Sequence, residues 1–306
     1  MTSSLFSTDF NAAALCPNVD KACPVSTSHR VVAIAAKTGL QGENDGLVDR
    51  TFAIRRADDN TKISGRECPK LVLVSCRREG DQLVVTGPGM EHELHVPVKS
   101  SGNDTKLELF GTWIDCQEGS EEAAKWFTEY LGLEVKLSIN ANGRFLRDNE
   151  KDWARTWRLE GVPEEDHETA FADGAPILML STQSLVDINS RIQHKSYTMK
   201  TFRPNIIIST ENGKPWDEDE WCGKLQIGEA ILAVSSPCPR CIFTTIDPET
   251  AQRDKELEPL KSLRKFRMSK GKDANYGIDS PLVGVNVVII KQGKIFVGDD
   301  IILLNE

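Results

Sequence analysis

KLVLVSCRREGDQLVVTGPGMEHELHVPV, residues 70–98, is the stretch on which the fold class turns. Three short apolar and β-branched runs, KLVLVSC, QLVVTG and HELHVPV, are separated by EGD and GPGM, residue types that reverse the chain. Strands so close together in sequence point to an antiparallel sheet or barrel. Working outward, RVVAIAA (30–36), RTFAIRR (50–56) and KLELFGTWIDCQ (106–117) extend the strand pattern. SEEAAKWFTEYLGL (120–133) then breaks it, with Ser120 placed to cap a helix, apolar residues at Ala123, Ala124, Phe127, Tyr130 and Leu131, and Gly132 as its stop.

Residues 140–172 are polar and charge-rich and read as a linker or surface loop, with a boundary near 165. Beyond it the strand PILML is followed by the helix STQSLVDINSRIQ, capped by Ser181 or Thr182, and the strand RPNIIIS. Next come the acidic loop PWDEDEW, a strand pair around KLQIGEAILAVSS, and the strands VGVNVVII and GKIFVGDDIILL. The chain is therefore expected to be α+β: an irregular tail over 1–30, a β-rich domain over 31–165 and a second domain over 166–306.

With 306 residues the chain can bury roughly 75% of its unfolded surface and needs no staple. A net charge of −9 argues against a general nucleic-acid binder, which requires a basic surplus. No window approaches the length of apolar sequence that a membrane span requires, and the first twenty residues lack the basic character of a targeting peptide. A soluble, cytoplasmic protein is expected, and eight cysteines scattered along a long chain suit reduced thiols better than disulfides.

Chemistry concentrates in SSPCPRCIFTTIDPET, residues 235–250. A structural zinc site needs four N or S ligands, and Cys238 and Cys241 have no second pair, because His92 and His95 on one strand point to opposite faces. A redox dithiol favours a helix after its first cysteine, whereas IFTTID is β-branched. Two buried, inert thiols are the ordinary alternative. Gly87-Pro88-Gly89 lacks a third glycine and a following helix, so it supports no nucleotide site. PWDEDEW reads as a solvated loop, and KSLRKFRMSKGK (261–272), with six basic residues, as a surface face able to dock an acidic partner.

Taken in order, FRPNIII, WDEDEW, KLQIGEAIL, CPRCIFTTIDPET, EPLKSLRKFR and GVNVVIIKQGKIFVGDDIILL resemble the MOSC-domain family, in particular its amidoxime-reducing members. DRTFAI and SGRECPKLVLVS resemble that family's N-terminal β-rich domain. The resemblance implies a C-terminal β-barrel-like domain and a molybdenum-molybdopterin cofactor held between the two domains. It also implies reduction of small N-hydroxylated substrates, amidoximes and hydroxylamines, by oxygen-atom transfer to the metal, and it leaves room for a pyridoxal phosphate association. Electrons would come from a cytochrome b5-type donor and its NADH-dependent reductase, since the chain has no haem or flavin motif.

On that resemblance Cys241 is the metal ligand and the catalytic position, with Arg240 as the cation favouring its thiolate. Arg50 and Arg203 fall on cofactor-binding arginines, suited to a phosphate, and Asn205 and Asn286 on amide contacts to the pterin. The sequence departs from the family in three places. Lys21 in NVDKACPVS stands for a cofactor-binding lysine whose neighbouring serine is Ala22; a Thr-Ser pair becomes Gly174-Ala175, leaving backbone N–H groups; and a tyrosine becomes Asn286. The alternative reading is a cofactor or sulfur carrier without turnover, or a degenerate member that binds no cofactor.

Overall fold

The computed structural model describes residues 29–34, 50–98, 102–140, 170–193, 195–210, 213–268 and 280–304. Lys21, most of the linker 140–172 and the end of the basic segment lie outside these residues. The first strand, β1 (His29–Ile34), pairs with strands contributed by the far end of the chain. The next segment builds two antiparallel sheets. β2 (Phe52–Arg56) stands at the edge of one; β3 (Ser75–Glu79), β4 (Gln82–Thr86) and β5 (Leu94–Pro97) form the other. β6 (Asp104–Leu109), β7 (Thr112–Glu118) and, after helix α1 (Glu121–Leu131), β8 (Val135–Ile139) complete the first sheet in the order β2-β8-β7-β6.

Local chemistry accounts for most of these boundaries. Ser120 Oγ accepts the N–H of Ala123 at 3.1 Å, and Gly132, at φ +73°, ends α1 in the left-handed region that glycine tolerates. The helix buries Ala123, Trp126, Phe127 and Tyr130 against Phe52, Val85, Leu94 and Leu137 of both sheets. One expected strand is not formed as such. In KLVLVSC the apolar residues coil into a 3-10 turn over Pro69–Leu73, and β3 begins only at Ser75. Proline at the start of the turn fixes φ and gives up no needed N–H, so the run buries Leu71 and Val74 without joining a ladder.

The C-terminal part begins with β9 (Ile177–Ser181), α2 (Thr182–Arg191), the short α3 (Met199–Phe202) and β10 (Ile206–Thr210). Ser181 caps α2, its Oγ accepting the N–H of Ser184 at 3.0 Å. β11 (Lys224–Ile227), β12 (Ala230–Pro239), the one-turn α4 (Leu260–Leu263), β13 (Leu282–Lys291) and β14 (Asp300–Leu304) follow. Among the described residues these strands and β1 close a barrel in the order β1-β10-β9-β13-β12-β11-β14, with β14 returning to β1. β9 and β10 run parallel; the other neighbours are antiparallel. Met179, Ile206, Ile208, Leu225, Ile227, Val285 and Val287 belong to the barrel's buried cluster. GKIFVG, expected as strand, is instead a turn in which Asp299 accepts the N–H of Phe296 at 2.8 Å.

Candidate functional site

Where the N-terminal part meets the barrel, a small, partly open cleft is lined by Arg50, Ala172, Asp173, Gly174, Ala175, Leu178, Phe202, Arg203, Asn205 and Asn286. Six residues singled out in the sequence, Arg50, Gly174, Ala175, Arg203, Asn205 and Asn286, thus share one surface. Arg50 precedes β2 and Arg203 follows α3, and both have positive φ, 57° and 58°. A side chain in that region is held only by surrounding structure, and such strain gathers at functional sites. At Arg203 the restraint is its own N–H, which donates to Met199 O at 2.7 Å; at Arg50 the carbonyl accepts the N–H of Phe171 at 3.0 Å.

The two amides are buried and already serve the walls. Asn205 Oδ1 accepts the N–H of Leu178 at 3.0 Å, and the Asn205 N–H donates to Leu178 O at 2.8 Å, which clamps α3's exit to β9. Asn286 on β13 donates to Ser236 Oγ on β12 at 3.3 Å. Asp173, absent from the sequence reading, is a buried wall residue. It takes Lys62 Nζ at 2.5 Å and Arg66 Nη2 at 3.3 Å, both from the N-terminal domain. Pairing satisfies a carboxylate that burial alone would penalise heavily. The signal that would have found it is the small-residue turn DGA, where one acid adjoins two residues without functional side chains.

The cysteine segment leaves β12 through two register shifts against β13, between Val234 and Ser236 and between Pro237 and Pro239. Such bulges bend a strand and re-aim its side chains. Cys238 is fully buried, and Arg240 Nη1 donates to its Sγ at 3.1 Å while Nη2 donates to Phe202 O at 2.6 Å. Burial pushes the Cys238 thiol above its usual range, against the pull of Arg240 and Arg50. This corrects one expectation: the Arg240 guanidinium serves Cys238 and the α3 exit rather than Cys241, because the bulged strand end turns it into the core.

Cys241 is half-buried and stands at the start of a 3-10 turn over Ile242–Thr245. Its Sγ accepts the N–H of Phe243 at 3.3 Å, and Thr244 Oγ1 donates to its carbonyl at 2.9 Å. Cys241 is not among the residues lining the cleft; it adjoins them through Phe243, whose ring lies 5.2 Å beneath the Arg203 guanidinium. Among the described residues no lysine lines the cleft, and the pyridoxal phosphate association is not supported.

PWDEDEW departs from the solvated loop expected. Within its Asp217–Glu220 turn Glu220 is exposed, but Glu218 is fully buried and accepts the N–H of Ser181 at 3.1 Å. Arg267, from the supposed surface face, pairs with Asp219, donates to Leu282 O at 2.8 Å and lies 3.7 Å over the Trp216 ring. Burial pushes the Asp219 carboxyl up to about 6, against Arg267 and with Glu218 and Glu220 adding to the rise. The exposed basic residues of the described part of that segment are Lys261, Arg264 and Lys265.

Comparison with known sequences agrees with this two-part architecture. Residues 24–134 match the MOSC N-terminal beta barrel domain and residues 166–302 the MOSC domain. The chain is 31% identical over 282 residues to mitochondrial amidoxime reducing component 2 of Bos taurus, covering 91% of this chain and 80% of that one. It is 31% identical over 284 residues to the component 2 of Homo sapiens, with the same coverage. It is 30% identical over 286 residues to the human component 1, covering 92% and 81%. The protein belongs to the MOSC-domain family, and its homologues are named as reducing components, which points to an oxidoreductase working with redox partners. Those homologues carry mitochondrial names, and among the described residues no helix is long and apolar enough to cross a membrane.

Proposed function

We propose that the protein is a molybdenum-cofactor oxidoreductase that reduces N-hydroxylated compounds, amidoximes and hydroxylamines, with electrons from an external cytochrome b5-type donor and its NADH-dependent reductase. The observation that carries this reading is one open cleft in which Arg50 and Arg203 converge beside the Gly174-Ala175 backbone, with a half-buried thiol on the adjoining turn. The donor set fits the group. Guanidinium forks suit a terminal phosphate, a backbone without bulky side chains admits close approach, and a soft thiolate suits a metal that changes oxidation state.

When bound, the cofactor supplies the two-electron chemistry that removes the N-hydroxyl oxygen. The chain's own part is binding and orientation. Arg50 and Arg203 would hold the phosphate, and Cys241 would offer its sulfur to the metal, oriented by the Phe243 N–H. Asn205 and Asn286 keep the wall rigid behind the pterin, and Lys261, Arg264 and Lys265 form an exposed basic face for an acidic donor. Molybdenum and pterin analysis of protein made in a cofactor-producing host, followed by amidoxime reduction with a chemical electron donor, tests the reading. Comparable metal and pterin with turnover supports it. Metal without turnover supports a carrier, neither supports a degenerate member, and stoichiometric zinc lost with Cys238→Ser overturns it.

A further inference from the structure

The N-terminal segment Lys62–Arg66, which runs into the SGRE motif at 64–67, touches the C-terminal part at several places around the cleft. Lys62 and Arg66 grip the wall residue Asp173 at 2.5 and 3.3 Å, and Arg253 Nη2 donates to the Arg66 carbonyl at 2.7 Å. Gly65 lies flat against Phe243: a Cβ built there would stand 2.2 Å from Phe243 Cε2 and 3.1 Å from Cζ. The other side of the same story is that Phe243 carries Arg203 over its ring at 5.2 Å and gives its backbone N–H to Cys241 Sγ at 3.3 Å. One buried side chain therefore joins the N-terminal domain, an arginine of the cleft and the half-buried thiol of Cys241.

We infer that Phe243, backed by Gly65, is a positioning residue that sets the Cys241 sulfur and the Arg203 guanidinium in register with each other, and that the 62–66 turn is the latch that transmits domain docking to this pair. The inference rests on the reading of Cys241 and Arg203 as the functional thiol and anion ligand. Only glycine allows the approach at position 65, since an added methyl must push a buried aromatic ring aside. Because the ring and the hydrogen-bonding N–H belong to one residue packed on both sides, a shift of Phe243 as a whole would carry the N–H off the sulfur and the platform out from under Arg203.

The test uses the cofactor-free, full-length protein and iodoacetamide at one fixed pH, with labelling of Cys241 read by peptide mass spectrometry relative to the partly exposed Cys222. Gly65→Ala is expected to raise the relative labelling rate of Cys241 by about threefold or more, the order of change from losing one hydrogen bond's restraint. Phe243→Leu shortens the side chain that the new methyl strikes, so Gly65→Ala combined with Phe243→Leu should return the rate toward wild type. A purely structural role would lower stability in both variants without this rescue. Wild-type labelling in folded Gly65→Ala, or a double variant no closer to wild type than Gly65→Ala, overturns the inference. Should Gly65→Ala not fold, Phe243→Leu by itself decides: an intermediate rise supports the latch and an unchanged rate overturns it. Labelling needs neither metal nor turnover, so a chain found to lack molybdenum would sink the proposed function and leave this result standing.

Discussion

Two charged clusters of the molecule, one in the cleft and one at the Asp217–Glu220 turn, have contrary fates. In the cleft, Arg50 and Arg203 line an open surface, and their backbones sit in the left-handed region. At the Asp217–Glu220 turn, Glu218 and Asp219 are folded inward, sealed by Trp216 and Arg267, and tied to the cap of α2. In the sequence the acidic run is the louder of the two, four consecutive charges against two single arginines 153 residues apart. The difference teaches that the density of charge along a chain does not foretell exposure. What decides is whether a partner of opposite sign arrives from elsewhere in the fold, as Arg267 does for Asp219.

The sharpest way to break this contrast is to remove the thiol beside the open cluster. Cys241→Ser should lower amidoxime turnover by about 100-fold or more, exceeding the 10- to 100-fold typical of losing a partner that merely orients a metal ligand. Cys238→Ser should retain most turnover, since serine still accepts from Arg240 in the buried site; equal loss in both variants would return the pair to dithiol chemistry. Arg203→Ala comes next, with cofactor retention expected to fall by about 10- to 100-fold, the worth of a charge-assisted contact, while the melting temperature moves little. Pterin release measured by fluorescence after dialysis checks it, and unchanged retention would assign the cleft to something other than phosphate.

The sealed cluster should answer to pH instead. The Asp219 carboxyl rises from an ordinary 3.8 to about 6 in the folded protein, so the folded state holds the proton more tightly than the unfolded one. Its stabilising contribution is therefore complete below about pH 4 and is lost as the pH climbs through about 6, a change of about 3 kcal/mol. Melting curves between those limits should show this slope in the wild type and a flatter one in Asp219→Asn. Cofactor retention should be indifferent to that substitution, and a parallel loss of cofactor would mean the two clusters are not separate.

Much of the fold could be read where its causes are local. Ser120 and Gly132 bracket α1 because a cap and a left-handed stop act within a turn or two, and Ser181 starts α2 for the same reason. LVLV misled because β-branched, apolar composition outweighed Pro69 at the head of the run, where it favours a turn. Resemblance located Arg50, Arg203, Asn205, Asn286 and the Gly174-Ala175 backbone, all of which line the cleft. It did not indicate Asp173, Lys62, Gly65 or Phe243, whose roles come from contacts more than 100 residues apart in the chain. Arg240 was legible as a cation near sulfur, but which sulfur depends on the bulges of β12, which no single segment encodes.

The seam formed by β1 bears on how the molecule comes into being. His29 pairs with Thr210 on one side and Ile301 on the other, so β1 waits for β14, more than 250 residues later in the chain, before the barrel can close. During synthesis the β2–β8 sheets, built from near neighbours, can form ahead of it, while the cleft between the two parts takes shape only with final closure. A fragment starting at residue 166 spans the matched MOSC segment yet lacks this strand. Its β10 and β14 would present open backbone edges, and the expected fate of such edges is to pair with another chain.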